Sequence, residues 1–158
     1  MLNQLLPRQV DNTYHGYKLA LWLFAVLVFM KVVISLRSIF DPYAVASEAD
    51  GIPLDTFTTA ASRTVISLFA ILGLSNLVIC LLCILVLARY RALISFMFAL
   101  LLLQQLGGAL IRQMMPIVRI GTPPGVYVTL ILLALTVVGL ALSLWNRVGR
   151  QPMSRTEG

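Results

Sequence analysis

Four long apolar stretches dominate this sequence. A bilayer has a hydrocarbon core about 30 Å thick, and a helix rising about 1.5 Å per residue needs about 20 apolar residues to cross it. The stretches that meet this length are residues 19–39, 64–88, 92–111 and 126–145. All seven prolines lie outside them, as expected for helices that must satisfy their own backbone hydrogen bonds in hydrocarbon. The sequence therefore predicts an all-α integral membrane protein, a four-helix bundle.

Composition excludes the main alternatives to a membrane domain. Only 11% of the residues are charged and 59% are apolar, whereas soluble domains have about 25% and about 45–50%. Two cysteines are too few for a disulfide-dense secreted module. No region is long and polar enough for a second, aqueous domain. We predict an N-terminal segment (1–18), a four-span membrane domain (19–145) and a basic tail (146–158).

The orientation is predicted from the lysines and arginines in the short loops, because cytoplasmic loops carry an excess of them. With both termini in the cytoplasm, the inside holds seven such residues and the outside holds four. The inner set is Arg8, Lys18, Arg89, Arg91, Arg147, Arg150 and Arg155, and the outer set is Arg37, Arg63, Arg112 and Arg119. We therefore expect an N-in, C-in protein of the plasma membrane, of the bacterial inner-membrane type. The inner basic residues favour contact with anionic lipids, and their scatter over short loops disfavours nucleic acid.

The connections carry signals of their own. The second and third spans are joined by residues 89–91 only, which predicts a tight antiparallel helical hairpin. In the first outer connection, Asp41 before Pro42 is typical of a helix start, and Gly51 is typical of a helix end. These signals predict a short interfacial helix over 43–50. Asp55 or Thr58 is expected to cap an early start of the second span.

Acidic residues are confined to a few places. None lies between Asp55 and Glu157, so every predicted span lacks a carboxylate. Carriers coupled to protons or cations usually place a carboxylate near the midplane, and the sequence disfavours that mechanism.

The outer acidic residues equal the outer arginines in number. They are Asp41, Glu48, Asp50 and Asp55, all in the first outer connection. We predict that this connection folds over the bundle as a salt-bridge cap, its acids facing Arg63, Arg112 or Arg119. The alternative is a solvated loop whose exposed ion pairs contribute about 0–1 kcal/mol each. The spacing of the acids matches no calcium-binding loop, and we predict no metal site.

Polar residues of all four spans fall at a similar depth. Counted from the span centres, Asn76 and Thr136 lie near the middle, Lys31 about two residues outward, and Gln104 and Gln105 about three outward. Buried amides without partners cost a few kcal/mol, so we expect these amides to face the interior and bond across the bundle. Structural stabilisation is the simpler explanation for the amides.

Lys31 is harder to explain as structure, because no span offers a carboxylate to pair with it. Four explanations remain open: a neutral amine, a wet cavity lined by Ser35 and the two glutamines, a negative group from outside the chain, or a misjudged span boundary. Gln104, Gly108 and Arg112 share one helix face that leads outward. Our hypothesis is a ligand- or lipid-binding site formed by Lys31, Ser35, Asn76, Gln104, Gln105 and Arg112.

The remaining motifs favour packing over chemistry. Cys80 and Cys83 form a C-x-x-C inside an apolar span, without the second cysteine pair that membrane thiol oxidases carry. His15 is the only histidine, so haem ligation by two histidines of one chain is excluded. We predict no catalytic residue and no cofactor.

Small residues recur along the fourth span and mark helix contacts. Thr129, Thr136 and Ser143 repeat every seven residues, with Gly139 alongside. Such stripes let helices approach closely, within a bundle or in a dimer, and the sequence does not choose between the two.

These observations favour two functions over a third, a membrane enzyme, because the spans lack acid–base residues and the outer carboxylates lack an evident partner base. The first is a non-enzymatic accessory or scaffolding subunit that packs against copies of itself or within a larger membrane complex. The second is a binder or carrier of a lipid or other amphipathic anion that uses the polar residues around Lys31.

Overall fold

The computed structural model describes residues 18–116, 121 and 123–148, and the regular structure in these residues is helical. Four helices are long and apolar enough to cross a membrane. They are α1 (Lys18–Phe40), α2 (Thr59–Arg89), α3 (Ile94–Met114) and α4 (Pro124–Val148). The all-α class and the four apolar spans are thus confirmed. The predicted terminal segments lie outside the described residues, at 1–17 and 149–158.

Helix α2 begins earlier than the apolar stretch it contains. Thr58 is its N-cap, and its hydroxyl oxygen accepts a hydrogen bond from the backbone N–H of Ala61 at 3.3 Å. The helix has 31 residues, a length of about 46 Å at about 1.5 Å per residue. This exceeds the hydrocarbon thickness of about 30 Å, so α2 is longer than an untilted span requires.

The first connection is helical where a short helix is predicted. A carboxylate oxygen of Asp41 accepts from the N–H of Ala44 at 3.2 Å, and one α-helical turn (Pro42–Ala44) continues into a π-helical stretch (Val45–Ala49). Gly51 follows with φ 70°, the left-handed conformation that ends helices at little cost for glycine. A 3-10 turn (Leu54–Thr56) precedes α2. The interfacial position of this helix stays a prediction.

The four helices pack in the spatial order α2, α1, α4, α3. Helix α1 lies along α2 and also contacts α4, and α3 packs against α4. Tyr90 and a 3-10 turn (Arg91–Leu93) form the short link between α2 and α3, but these two helices make few contacts. The predicted close packing of this hairpin is therefore wrong, because each of the two helices finds its main neighbour elsewhere.

The apolar core lies toward the end of the bundle that holds this link, which we call the hairpin end. Its buried residues are Phe24, Leu27, Val28, Cys83, Val86, Ile94, Met97, Phe98 and Leu101. The rings of Phe24 and Phe98 meet edge to face, with centroids 5.0 Å apart. The opposite end carries the two longer connections and is called the loop end. Because the last buried residue of α3 is Leu101, the loop-end half of α3 is not covered by this core.

Small residues set the closest helix approaches. A Cβ added at Gly73 of α2 would lie 2.7 Å from Ser38 Cβ and 3.0 Å from the carbonyl oxygen of Ser35, both on α1. On α4, a Cβ added at Gly139 would overlap the ring of Phe98. The Ser143 hydroxyl of α4 also forms a hydrogen bond with that of Ser95 on α3. The small residues at 139 and 143 therefore form contacts inside the bundle.

Candidate functional site

A chain of hydrogen bonds joins three helices near the middle of the bundle. The ammonium nitrogen Nζ of Lys31 on α1 donates to Oε1 of Gln104 on α3 at 3.2 Å. Nε2 of Gln104 donates in turn to Oδ1 of Asn76 on α2 at 2.9 Å. Since α2 and α3 otherwise make few contacts, these long amide side chains bridge the space between them.

The neighbouring glutamine extends this arrangement to α4. Nε2 of Gln105 donates to the hydroxyl oxygen of Thr136 at 2.8 Å, and that hydroxyl donates to the carbonyl oxygen of Leu132 at 2.6 Å. Oε1 of Gln105 is buried and has no hydrogen-bond partner in the described part of the chain. We call Lys31, Asn76, Gln104, Gln105 and Thr136 the polar layer. Thr136 lies at the predicted depth, but the predicted site does not include it. Its seven-residue spacing from Thr129 and Ser143 does indicate the helix face that these residues share.

Lys31 is placed well inside its helix. Helix α1 continues for two full turns beyond it, to Phe40, so the residue does not lie at a helix end. An ammonium has three N–H donors, and among the described residues Gln104 Oε1 is the one acceptor within hydrogen-bonding distance. No Asp or Glu occurs in any of the four helices. The protein itself therefore offers this amine a neutral partner and no counter-charge within the layer.

Ser35 plays a different part from the one predicted. Its hydroxyl donates to the carbonyl oxygen of Lys31 at 2.7 Å, one turn back on α1. The residue is 1% exposed and lies at the close approach of α1 to Gly73 of α2. Ser35 is thus a packing residue next to the polar layer, with its donor already used.

Arg112 lies on the open side of α3. The residue is exposed, and its guanidinium nitrogen Nη1 lies 3.6 Å from the position of a Cβ on Gly108. The side chain therefore folds back by one turn toward Gln104, which is also exposed. A Cβ at the neighbouring Gly107 would have no atom within 4 Å. This face of α3 is bare between the guanidinium and the polar layer.

The acidic residues of the first connection have partners close by. Glu48 forms an ion pair with Arg37 of α1 at 3.8 Å, where both side chains are largely exposed (73% and 61%). Asp41 caps the short helix, and a carboxylate oxygen of Asp55 accepts from the phenol of Tyr43 at 3.2 Å. This hydrogen bond, together with the negative charge of Asp55, raises the pKa of Tyr43 above its ordinary value.

The predicted cap therefore differs in its pairings. Neither Arg63 nor Arg112 makes an ion pair with Asp41, Glu48 or Asp55 in the part of the chain that the structure describes. Arg119, the third predicted partner, lies outside the described residues. The arginine that pairs with Glu48 is Arg37, which is closer to it in the sequence than Arg63 is. The sequence pattern uses Arg37 only to predict the topology.

Apolar and backbone contacts hold the connection on the loop end. The side chains of Ala46, Ile52 and Leu54 are buried against α2, with Val65, Ile66 and Phe69 packed beside them. On the other side, a Cβ added at Gly125 of α4 would lie 2.6 Å from the carbonyl oxygen of Ala49 and 3.0 Å from Oδ1 of Asp50. The connection therefore contacts both α2 and α4.

The cysteine pair is part of the packed interior. Cys80 and Cys83 are free thiols, each 1% exposed, and Cys83 belongs to the main core. Their predicted role as small core residues agrees with this placement. His15 lies outside the described residues.

Chemically, the polar layer can bind and orient a negative group. It presents the partly exposed amine of Lys31, which has unused N–H donors and is held in place by amides. The guanidinium of Arg112 lies on the same side of α3. Comparisons with protein-family models, curated proteins and solved structures found no match for this chain.

Proposed function

We propose that this chain is a non-enzymatic membrane protein that binds an amphipathic anion, such as an anionic lipid, at the polar layer around Lys31. The observation that carries the proposal is the bond from Lys31 to Gln104, an amine tied to a neutral amide in helices without a carboxylate. The amides of α2 and α3 hold this amine in a hydrogen-bond network that joins three helices near the middle of the bundle.

Energetics favour a ligand over a purely structural lysine. Insertion scales assign about 2.5–3.5 kcal/mol to a lysine at the centre of a span, and its one hydrogen bond, as a bond to a charged group, returns about 1.5–3 kcal/mol. A single amide acceptor therefore offsets part of this cost but leaves the charge without a counter-charge. A bound anion adds the missing counter-charge and forms charge-assisted hydrogen bonds, which are roughly twice as strong as neutral ones.

The non-enzymatic part of the proposal depends on residue chemistry. The four helices contain no carboxylate and no histidine, the groups that most often transfer protons in enzymes. The two thiols are buried in the core and have no neighbouring base of these types in the helices.

Native mass spectrometry after gentle extraction tests this function. We expect the wild-type protein to retain an anionic lipid or other anion, and the Lys31→Leu variant to lose it. Lys18→Leu is the matched control, because it removes the same charge from the exposed start of α1 and should leave the bound anion in place. A Lys31→Leu protein that keeps every copurifying anion and gains heat stability in detergent contradicts the proposal.

A scaffolding subunit is the second candidate, and the uncovered half of α3 favours it. Beyond Leu101 this helix has no buried residue, and a Cβ added at its Gly107 would have no neighbour within 4 Å among the described residues. A helix of a partner could lie close to such a surface. A fixed protein stoichiometry in the same mass spectra, unchanged by Lys31→Leu, supports this function instead.

For the location, we propose a plasma membrane of the bacterial inner-membrane type, with both termini in the cytoplasm. The hairpin end, with Arg89 and Arg91, then faces the cytoplasm, and the loop end faces outward. This orientation makes the open side of α3 accessible from the outer leaflet.

A further inference from the structure

Two cations lie on one side of α3 about one helical turn apart. The amine of Lys31 is at Gln104, and the guanidinium of Arg112 lies beside Gly108. Positions 104 and 108 are separated by about 6 Å along the helix axis. Between Gln104 and Arg112 this face carries Gly108, where an added Cβ would have only the Arg112 side chain within 4 Å among the described side chains.

The space beside this face is open to the surroundings of the bundle. Gln104 and Arg112 are both exposed, and the apolar residues next to them in sequence (Leu103, Leu106 and Ile111) are exposed as well. Helix α2 approaches this part of α3 through the bond between Asn76 and Gln104. A ligand can thus reach the two cations from the side, through hydrocarbon, without entering between closely packed helices.

We infer that Lys31 and Arg112 together bind one phosphodiester group of a lipid, which lies over Gly108 and enters laterally between α2 and the loop-end half of α3. This inference rests on the proposed function and names its ligand class and its route. A phosphodiester has two non-bridging oxygens that share one negative charge, so one can accept from the ammonium and the other from the guanidinium. Its acyl chains remain beside the exposed leucines, where they replace bulk lipid at little cost.

The glycines provide a test that leaves both charges in place. A side chain at position 108 occupies the floor of the proposed site, whereas one at position 107 projects about 100° away on the helix, where a Cβ would have no neighbouring side chain of the described residues within 4 Å. Gly108→Leu is therefore the blocking variant and Gly107→Leu is its matched control. Arg112→Gln removes the second cation, and Arg63→Gln removes an exposed loop-end arginine outside the site.

The experiment measures thermal stabilisation of delipidated protein in detergent by titrated dioleoyl phosphatidylglycerol, with the soluble phosphodiester glycerophosphoglycerol as a separate arm. We expect phosphatidylglycerol to stabilise the wild type. Its apparent affinity should fall about tenfold or more in Arg112→Gln, as expected for the loss of a charge-assisted hydrogen bond, and comparably in Gly108→Leu. Gly107→Leu and Arg63→Gln should bind as the wild type does.

The outcomes separate this inference from the proposed function. If phosphatidylglycerol binds in a manner that depends on Lys31, but Arg112→Gln and Gly108→Leu bind normally, the shared site and its route are wrong while the proposed function stands. If glycerophosphoglycerol stabilises the protein as well as the lipid does, the anion comes from water and the lipid route is overturned. If no anion stabilises the wild type, both fail. The unliganded melting temperature of each variant confirms that it is folded.

Discussion

Gln104 and Gln105 are neighbours in the sequence, yet they serve different helices. Gln104 accepts from Lys31 and donates to Asn76, so both ends of its amide are used. Gln105 donates to Thr136, and its oxygen is buried without a partner among the described residues. Removing the first amide deprives a charged group of its acceptor, whereas removing the second also removes an unsatisfied oxygen.

The two glutamines should therefore differ in mutational cost. We expect Gln104→Leu to lower the free energy of unfolding by about 1.5–3 kcal/mol, the range for hydrogen bonds to charged groups. Gln105→Leu should change it by less than about 0.6 kcal/mol, the average for a hydrogen bond in a membrane protein. Unfolding of delipidated protein by sodium dodecyl sulfate in mixed micelles measures both. Equal losses in the two variants contradict this assignment of the layer.

Tyr43 supplies a prediction of pH dependence at the loop end. Its phenol donates to Asp55, which raises its pKa, so the protonated form is favoured in the folded state. The stabilisation is then complete below the ordinary pKa of tyrosine and is lost as pH rises through the raised value. The difference in absorbance at 295 nm between the wild type and Tyr43→Phe should report a midpoint above that of free tyrosine.

Asp55→Asn is the companion variant for this titration. It removes the charge that favours the protonated phenol, so the midpoint of Tyr43 should move down toward its ordinary value. A midpoint unaffected by Asp55→Asn means that the hydrogen bond does not form in solution. Neither Tyr43 nor Arg37 was singled out from the sequence as a partner of the acids, because such pairings depend on how the connection folds.

At the scale of the helices, composition predicted which segments are apolar enough to cross a bilayer but not which helices pack against each other. The spans follow from runs of apolar residues longer than about 20, which few other folds tolerate. Which helices become neighbours depends on local shape. The absence of a side chain at Gly73 leaves room for Ser35 and Ser38, and its absence at Gly139 leaves room for the ring of Phe98. A short link at residues 90–93 suggested close packing of α2 with α3, but these glycines direct α2 to α1 and α3 to α4.

Two glycines on α3 and α4 test this explanation. Gly139→Ala places a methyl group in the ring of Phe98 and should destabilise the protein by about 1–3 kcal/mol, the usual cost of overpacking. Gly107→Ala meets open space and should be neutral or stabilise by up to about 1 kcal/mol, through helix propensity. Unfolding in mixed micelles gives both values.

A double-mutant cycle identifies the cause of the Gly139 effect. In a Phe98→Leu background the same alanine should cost less, because the ring it meets is gone. If the cost is unchanged, the contact with Phe98 does not determine the spacing of α3 and α4.

At the scale of the whole molecule, the packing of the bundle differs between its two ends. The hairpin end has the large apolar core, whereas the loop end relies on a small cluster beneath the first connection and leaves half of α3 uncovered. The depth of the polar residues was predictable by counting, since helices of known rise place them at one level. The opening beside α3 was not predictable, because it depends on which helices are neighbours.

The direction in which this unequal bundle sits decides which leaflet supplies a lipid, and cysteine labelling can establish it. The two native thiols are each 1% exposed, so a membrane-impermeant maleimide should leave them unlabelled in intact cells. Ser47→Cys in the first connection should then react from outside, because four arginines at the loop end against seven basic residues at the other predict an outward loop end. Ala88→Cys, exposed at the hairpin end, should react only after the cells are permeabilised. The opposite pattern reverses the topology and moves the lipid entrance to the cytoplasmic leaflet, while leaving the chemistry at Lys31 and Arg112 as described.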